Sequence, residues 1–155
     1  MQRSKALLIA SLLISIIGCA HADTVLSAYG TYWEGDDSGH GAGIRLKKTF
    51  MAFMAVEGRT GYCEFTGSNT EIIPVDFAVS ARLPFMISPY AGIGAGYYFA
   101  DSKTYSLDDF SGSFVQVGVE ATFVWVGALA EVRYYDMEED AFDGPAYNVG
   151  ILLKW

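Results

Sequence analysis

The sequence predicts an all-β fold, an eight-stranded antiparallel up-and-down transmembrane β-barrel with short turns at one end and longer loops at the other. Three observations carry that prediction. Past residue 22 the dominant signal is alternation of apolar and polar residues with period two, broken by Gly, Asp and Ser clusters. The connections between alternating segments are tight and long by turns. The mid-strand charges sit on the face opposite the apolar one.

The alternation is clearest at the C-terminus, where Tyr147, Val149, Ile151, Leu153 and Trp155 share one face and Asn148, Gly150, Leu152 and Lys154 the other. The segment from Pro89 repeats it, with Ala91, Ile93, Ala95, Tyr97 and Phe99 opposed by Tyr90, Gly92, Gly94, Gly96 and Tyr98. Val115, Val117, Val119, Ala121 and Phe123 oppose Phe114, Gln116, Gly118, Glu120 and Thr122. Ala128, Ala130, Val132 and Tyr134 oppose Leu129, Glu131, Arg133 and Tyr135. Eight strands follow, over 24–33, 40–48, 50–60, 71–83, 87–99, 112–123, 126–136 and 145–155. A typical length of about 10 residues suits a tilted strand crossing a bilayer. Tight turns are expected at Lys48-Thr49, Pro84-Phe85-Met86 and Val124-Trp125, and longer polar loops at 34–39, 61–70, 100–111 and 137–144. An even strand number puts both ends of the barrel domain on the short-turn, periplasmic side.

Two segments are ambiguous. In the first strand either Leu26, Ala28 and Tyr32 or Val25, Tyr29 and Trp33 face lipid. Pro74 lies near the loop end of the fourth and must forfeit a ladder hydrogen bond, so a bulge is expected there, or pairing that begins only after it.

A soluble β-sandwich also alternates. Charge placement argues against it. Arg45, Arg59, Arg82 and Arg133 all fall opposite the apolar face, as do Glu57, Asp76, Glu120 and Glu131. Lys47, Lys48, Lys103 and Lys154 fall at strand ends or in a loop. Arginine suits enclosed, multidentate pairing, and charges in a narrow interior must be paired. These eight residues are the expected lumen ion-pair network. The aromatics also sort by depth, with Trp33, Tyr62, Tyr97, Phe99, Tyr134 and Tyr147 toward the loop ends and Phe50, Phe85, Phe123, Trp125 and Trp155 toward the turn ends. Two such bands match the girdles at the two membrane interfaces.

Residues 1–22 read as a secretory signal peptide. Arg3 and Lys5 precede an uncharged run over 6–18, and Ala20-His21-Ala22 offers small residues for cleavage before Asp23. The run is short of the roughly 20 residues a spanning helix needs. Ile16-Ile17-Gly18-Cys19 leaves open a lipobox with an acylated Cys19, and an uncleaved anchor is a further alternative. The domain organisation is therefore a signal peptide, 1–22, and a barrel domain, 23–155. The chain has 10 Lys+Arg and 18 Asp+Glu; without Arg3 and Lys5, 8 face 18, a net charge of −10. Such acidity excludes nucleic acid as a partner, because phosphate binding needs clustered cations. Cys63, read as lying in the second outer loop, then has no intrachain disulfide partner.

Ser88-Pro89-Tyr90-Ala91-Gly92-Ile93-Gly94-Ala95-Gly96-Tyr97-Tyr98 resembles the Pro-Tyr-x-Gly-x-Gly-x-Gly-Tyr strand of the OmpA/OmpX/opacity-protein-like small outer-membrane barrels. Ala130-Glu131-Val132-Arg133-Tyr134-Tyr135 resembles the Glu-x-Arg-Tyr strand of that family. Tyr147, Val149, Ile151, Leu153 and Trp155 resemble its C-terminal assembly signal, with Trp in place of the usual Phe. The resemblance covers most of 23–155 and implies the fold and an outer-membrane location. The implied partners are outer-membrane lipids, lipopolysaccharide and the barrel assembly machinery. It implies no single activity.

Candidate sites are few. His40, with Ser38 and Asp36/Asp37 nearby, is the one constellation suited to a lipid A-modifying hydrolase or acyltransferase, which needs a base beside a nucleophile. The His-x-Ser-Asn element of deacylases and the N-terminal helix of palmitoyltransferases are missing. The outer loops carry Glu34, Asp36, Asp37, Glu64, Asp101, Asp108, Asp109, Asp136, Glu138, Glu139, Asp140 and Asp143. Asp136-x-Glu138-x-Asp140 echoes a calcium loop, but Ala141 stands where that turn needs Gly. No metal site and no cofactor is expected. Eight strands enclose a lumen that side chains just fill, so a plugged barrel is expected, with a narrow pore as the alternative. The sequence thus points to a non-enzymatic structural or surface-interaction role.

Overall fold

The computed structural model describes residues 23–35, 37–102 and 108–155. The signal peptide, Cys19, Asp36 and Lys103 lie outside the described residues. Eight antiparallel strands close into one barrel in sequence order. They are β1 (Thr24–Trp33), β2 (Gly39–Met51), β3 (Met54–Phe65), β4 (Thr70–Arg82), β5 (Ile87–Ser102), β6 (Phe110–Phe123), β7 (Val126–Met137) and β8 (Gly144–Lys154). The barrel closes where β8 pairs with β1, from Val25 opposite Lys154 to Trp33 opposite Ala146. Reciprocal backbone hydrogen bonds between Thr24 and Trp155, 2.9 and 3.0 Å, fasten the last residue to the first strand. Closure leaves no strand edge unpaired, which a bilayer requires because nothing there replaces a lost backbone hydrogen bond.

The turn expected at Lys48-Thr49 is instead at 52–53, because β2 and β3 stay paired past it, with Arg45 opposite Arg59, Lys47 opposite Glu57 and Thr49 opposite Ala55, and the register shifts only between Thr49 and Met51. The strands outlast the expectation at the other end too. The loop-end connections are 34–38, 66–69, 103–109 and 138–143, and the second spans no more residues than the turn 83–86. Two tight connections place residues at positive φ, Asn69 at 49° and Val124 at 58°. Asparagine tolerates that region; a β-branched valine adopts it only where a two-residue hairpin demands it.

Pro74 does not produce a bulge. The β4–β5 ladder passes through it without a register change, Pro74 standing opposite Tyr98. On its other side only the rungs opposite Gly61 and Tyr62 drop out, and Cys63 resumes pairing with Ile72 in the same register. The missing N–H therefore interrupts one ladder locally.

The faces of β1 are settled by burial. Val25, Ser27, Tyr29 and Trp33 point inward, while Leu26 and Tyr32 are exposed. Trp33 is thus not part of an interfacial girdle; Tyr32 takes that place beside Tyr62, Tyr97, Tyr134 and Tyr147. At the turn end Phe50, Phe53, Phe85, Phe123, Trp125 and Trp155 are exposed. Between the bands the outer wall is aliphatic, with Ile44, Val79, Ile93, Val117, Val149 and Ile151 exposed. An apolar belt of this extent is stable only against hydrocarbon.

Inward glycines make room for large lumen groups. Gly94 stands opposite Phe114, and a β-carbon there would meet the Phe114 ring and the Phe77 carbonyl oxygen. Gly94→Val is therefore expected to destabilise the folded barrel by about 1–3 kcal/mol through overpacking, measured by urea unfolding in lipid vesicles. A neutral result would mean that the strand shifts freely at this point.

Candidate functional site: a filled lumen

The lumen is layered. Its middle layer is a continuous chain of ion pairs in which four cations, Arg45, Lys47, Arg59 and Arg133, meet four carboxylates, Glu57, Asp76, Glu120 and Glu131. All eight are buried. Glu131 is the most heavily bonded. It receives a two-pronged contact from Arg59 at 2.7 and 2.6 Å. It also accepts from Arg133 Nε at 3.0 Å, the Tyr90 hydroxyl at 2.6 Å and Asn148 Nδ2 at 3.1 Å. Arg133 spreads over three carboxylates, reaching Asp76 at 2.7 Å and Glu57 at 2.9 Å besides Glu131. Its guanidinium also lies 4.2 Å from the Phe114 ring centroid. Arg45 donates to Glu120 at 2.6 Å and to the Ser27 hydroxyl, and Lys47 donates to the other Glu120 oxygen.

Period-two spacing puts Glu57 beside Arg59 and Glu131 beside Arg133 on the inward faces of β3 and β7. Closure then brings β3 against β7 across the lumen, 72 residues apart in sequence at the Arg59–Glu131 contact. Arg45 and Arg59 are direct cross-strand neighbours. Like charges so placed repel on an open sheet; here Glu57, Glu120 and Glu131 separate them. Five hydrogen bonds to one buried carboxylate also supply what a desolvated charge needs.

Arg82, expected in this network, is not in it. It is half-buried near the turn end and donates to the hydroxyls of Ser88 (3.2 Å) and Thr49 (3.4 Å). Lys47, expected at a strand end, takes the place of the fourth cation. The reason is the turn position: with the turn at 52–53, Lys47 lies inside β2 on the same face as Arg45.

Apolar layers seal both ends. Toward the turns Val25, Leu129 and Leu152 pack together. Toward the loops an aromatic cluster includes Trp33, Phe65, Tyr98, Phe110, Tyr135 and Phe142. Trp33 stacks on Tyr135 with centroids 4.3 Å apart. Cys63 belongs to this cluster inside β3, not to an outer loop. A void of about 10 Å³ lies between the aromatic and charged layers, lined by Tyr29, Arg59, Asp76, Arg133, Tyr135 and Asn148 among others. That is room for about one water molecule.

The remaining candidates are at the loop end. His40 is exposed on the outward face of β2, opposite Tyr32 and Glu64. Asp37 accepts the Gly67 and Ser68 amides at 2.9 and 2.8 Å, tying the first connection to the second. Glu64, Asp101 and Asp136 sit on strands, not in loops. Glu138 accepts the Ser111 amide at 2.8 Å, which holds its carboxyl below the usual carboxylate range. Among the described residues no three His, Cys, Asp or Glu side chains converge as a metal-binding group. The C-terminal set Tyr147, Val149, Ile151, Leu153 and Trp155 is exposed on the outer wall of the closing strand.

A closed eight-stranded barrel with an apolar, aromatic-banded wall and a charge-paired interior has the form of a transmembrane β-barrel. Solved structures with this shape include the outer membrane protein OprG from Pseudomonas aeruginosa, at TM-score 0.70 and 14% identity, covering 86% of this chain and 96% of that one. Neisserial surface protein A aligns at TM-score 0.64 and 13% identity, over 86% and 97% of the two chains. Ail, the attachment invasion locus protein of Yersinia pestis, solved with the heparin analogue sucrose octasulfate, aligns at 0.51 and 14% identity, over 86% and 99%. At such identities the likeness is one of fold. No family model and no curated protein matches the chain.

Proposed function

We propose that this chain is a non-enzymatic bacterial outer-membrane β-barrel with a structural, envelope-integrity or surface-interaction role. The observation that carries the reading is the lumen, in which the described residues stack aromatic, charged and aliphatic layers. Between the aromatic and charged layers the described residues leave room for about one water, too little for a hydrated ion, which disfavours the narrow pore. His40 points outward and Asp37 holds the second connection rather than an imidazole. Among the described residues no carboxylate is hydrogen-bonded to His40, so the base oriented by an acid that a lipid A-modifying enzyme needs is not assembled there. The outer wall takes membrane lipids and lipopolysaccharide as its surroundings. The signal peptide, 1–22, directs export, and the barrel assembly machinery inserts the domain through its C-terminal strand.

The processed chain is expected to begin at Asp23, to fractionate with outer membranes and to migrate differently before and after boiling. A deletion strain should show altered envelope integrity with unchanged lipid A mass, and the purified barrel should give no conductance steps in a planar bilayer. Recovery in the soluble periplasm, a lipid A mass change or stepwise conductance would each overturn a named part of the reading. Deleting Trp155, which removes its paired hydrogen bonds to Thr24, is expected to cut membrane assembly severalfold. Normal assembly of that deletion would remove the C-terminal strand as its determinant.

A further inference from the structure

The fourth loop-end connection, 138–143, turns into the barrel mouth. A short 3-10 turn, Asp140–Phe142, leaves Asp140 and Ala141 exposed and buries Phe142. The Phe142 ring stacks on Phe110, with centroids 5.4 Å apart and planes 5° from parallel, and meets Phe65 edge-on at 4.9 Å. Its carbonyl oxygen accepts the Trp33 indole N–H at 3.0 Å. The other ties sit at its two ends: the Asp143 carboxylate accepts the Met137 amide at 2.6 Å, the Glu138 carboxylate accepts the Ser111 amide at 2.8 Å, and the Glu138 amide donates to the Ser111 carbonyl at 3.0 Å. No ion pair of the lumen layer reaches this segment. The β7–β8 ladder ends where Tyr135 faces Gly144, so the segment stands beyond it. Gly144, at φ 138°, holds a backbone conformation that side chains rarely adopt and anchors the C-terminal end of the segment opposite Tyr135.

We propose that Phe142 is a removable stopper. Connection 138–143 closes the loop-end mouth and lifts outward as a unit between its anchors at Met137 and Gly144, admitting small polar solutes to the aromatic vestibule beneath. The ion-pair layer below stays closed, so the movement opens a vestibule and not a channel. Local opening of this kind draws on few contacts, while the barrel wall keeps all its rungs.

Cys63 reports on it. It lies in the vestibule wall, buried, on the same inward face of β3 as Phe65 and one step deeper. The chain has two cysteines, so Cys19→Ser leaves Cys63 as the single thiol. The experiment follows the rate at which a membrane-impermeant maleimide labels Cys63 in the folded, vesicle-embedded protein. Phe142→Ala is expected to label at least about tenfold faster, because the buried ring is the main hold on the segment. Trp33→Phe, which removes the indole hydrogen bond and keeps an aromatic ring, is expected to fall between. Both should keep the mobility shift on boiling, and Phe142→Ala should still give no conductance steps. If Phe142→Ala fails to fold, Trp33→Phe carries the test. Labelling of the folded variants at the unmodified rate would overturn the proposal. So would complete protection of Cys63 in the unmodified protein, or conductance steps in Phe142→Ala.

Discussion

Glu131→Gln is expected to lower the unfolding free energy of the barrel by about 3–5 kcal/mol. The carboxylate accepts five hydrogen bonds, two from Arg59 and one each from Arg133, Tyr90 and Asn148. A carboxamide is close in shape but turns an N–H₂ toward donors at one of the two oxygen positions, so a donor faces donors. It also removes the negative charge that compensates Arg59 and Arg133, both buried. Adding Arg59→Met should recover part of the loss, since one orphaned cation goes with it. Reversible urea unfolding in lipid vesicles measures both. A single-mutant loss under about 1 kcal/mol would mean that water reaches this layer and screens it.

Lys47→Met and Arg82→Met are expected to differ sharply, although each removes one cation. Lys47 is buried against Glu120. Its loss leaves that carboxylate with Arg45 alone and should cost about 2–3 kcal/mol, the range for a buried hydrogen bond to a charged group. Arg82 is half-buried and touches only hydroxyls in the contacts described above. Its replacement should cost under about 1 kcal/mol. The same vesicle unfolding assay decides. Equal effects would mean that Arg82 swings into the lumen and shares the network.

Much of this arrangement is legible in the sequence. Glu120, Glu131 and Arg133 fall on the inward face wherever alternation is unbroken, and the structure buries them there. Two features of the structure depart from what local alternation predicts: strand ends that run on, and the face of β1. Ending β2 at residue 48 put Lys47 beside a turn, when the strand runs to Met51. Nothing local marks that end, because Ala52 and Phe53 are not turn residues. Arg82 lies opposite the apolar face as its alternation predicts, but at the last residue of β4, where it meets hydroxyls rather than the carboxylates. Cys63 reads as a loop thiol only if β3 ends at residue 60, whereas Trp33 reads as a girdle aromatic because the alternation in β1 fits either face. Both sit near strand ends, where only pairing with the neighbouring strands shows which face continues.

The sequence by itself determined two things: that the chain alternates over eight segments, and that its charges lie on the face opposite the apolar residues. Both are local, because successive side chains of a strand point to opposite sides whatever lies beyond. The tertiary structure alone decided the rest. Which acid meets which cation depends on closure and on the stagger between strands, since Arg59 and Glu131 are 72 residues apart and touch across the lumen. The burial of Phe142 depends likewise on a mouth assembled from β1, β3 and β6, which contribute Trp33, Phe65 and Phe110. A loop of acidic residues reads as solvated until the barrel gives its one phenylalanine an aromatic seat to fill.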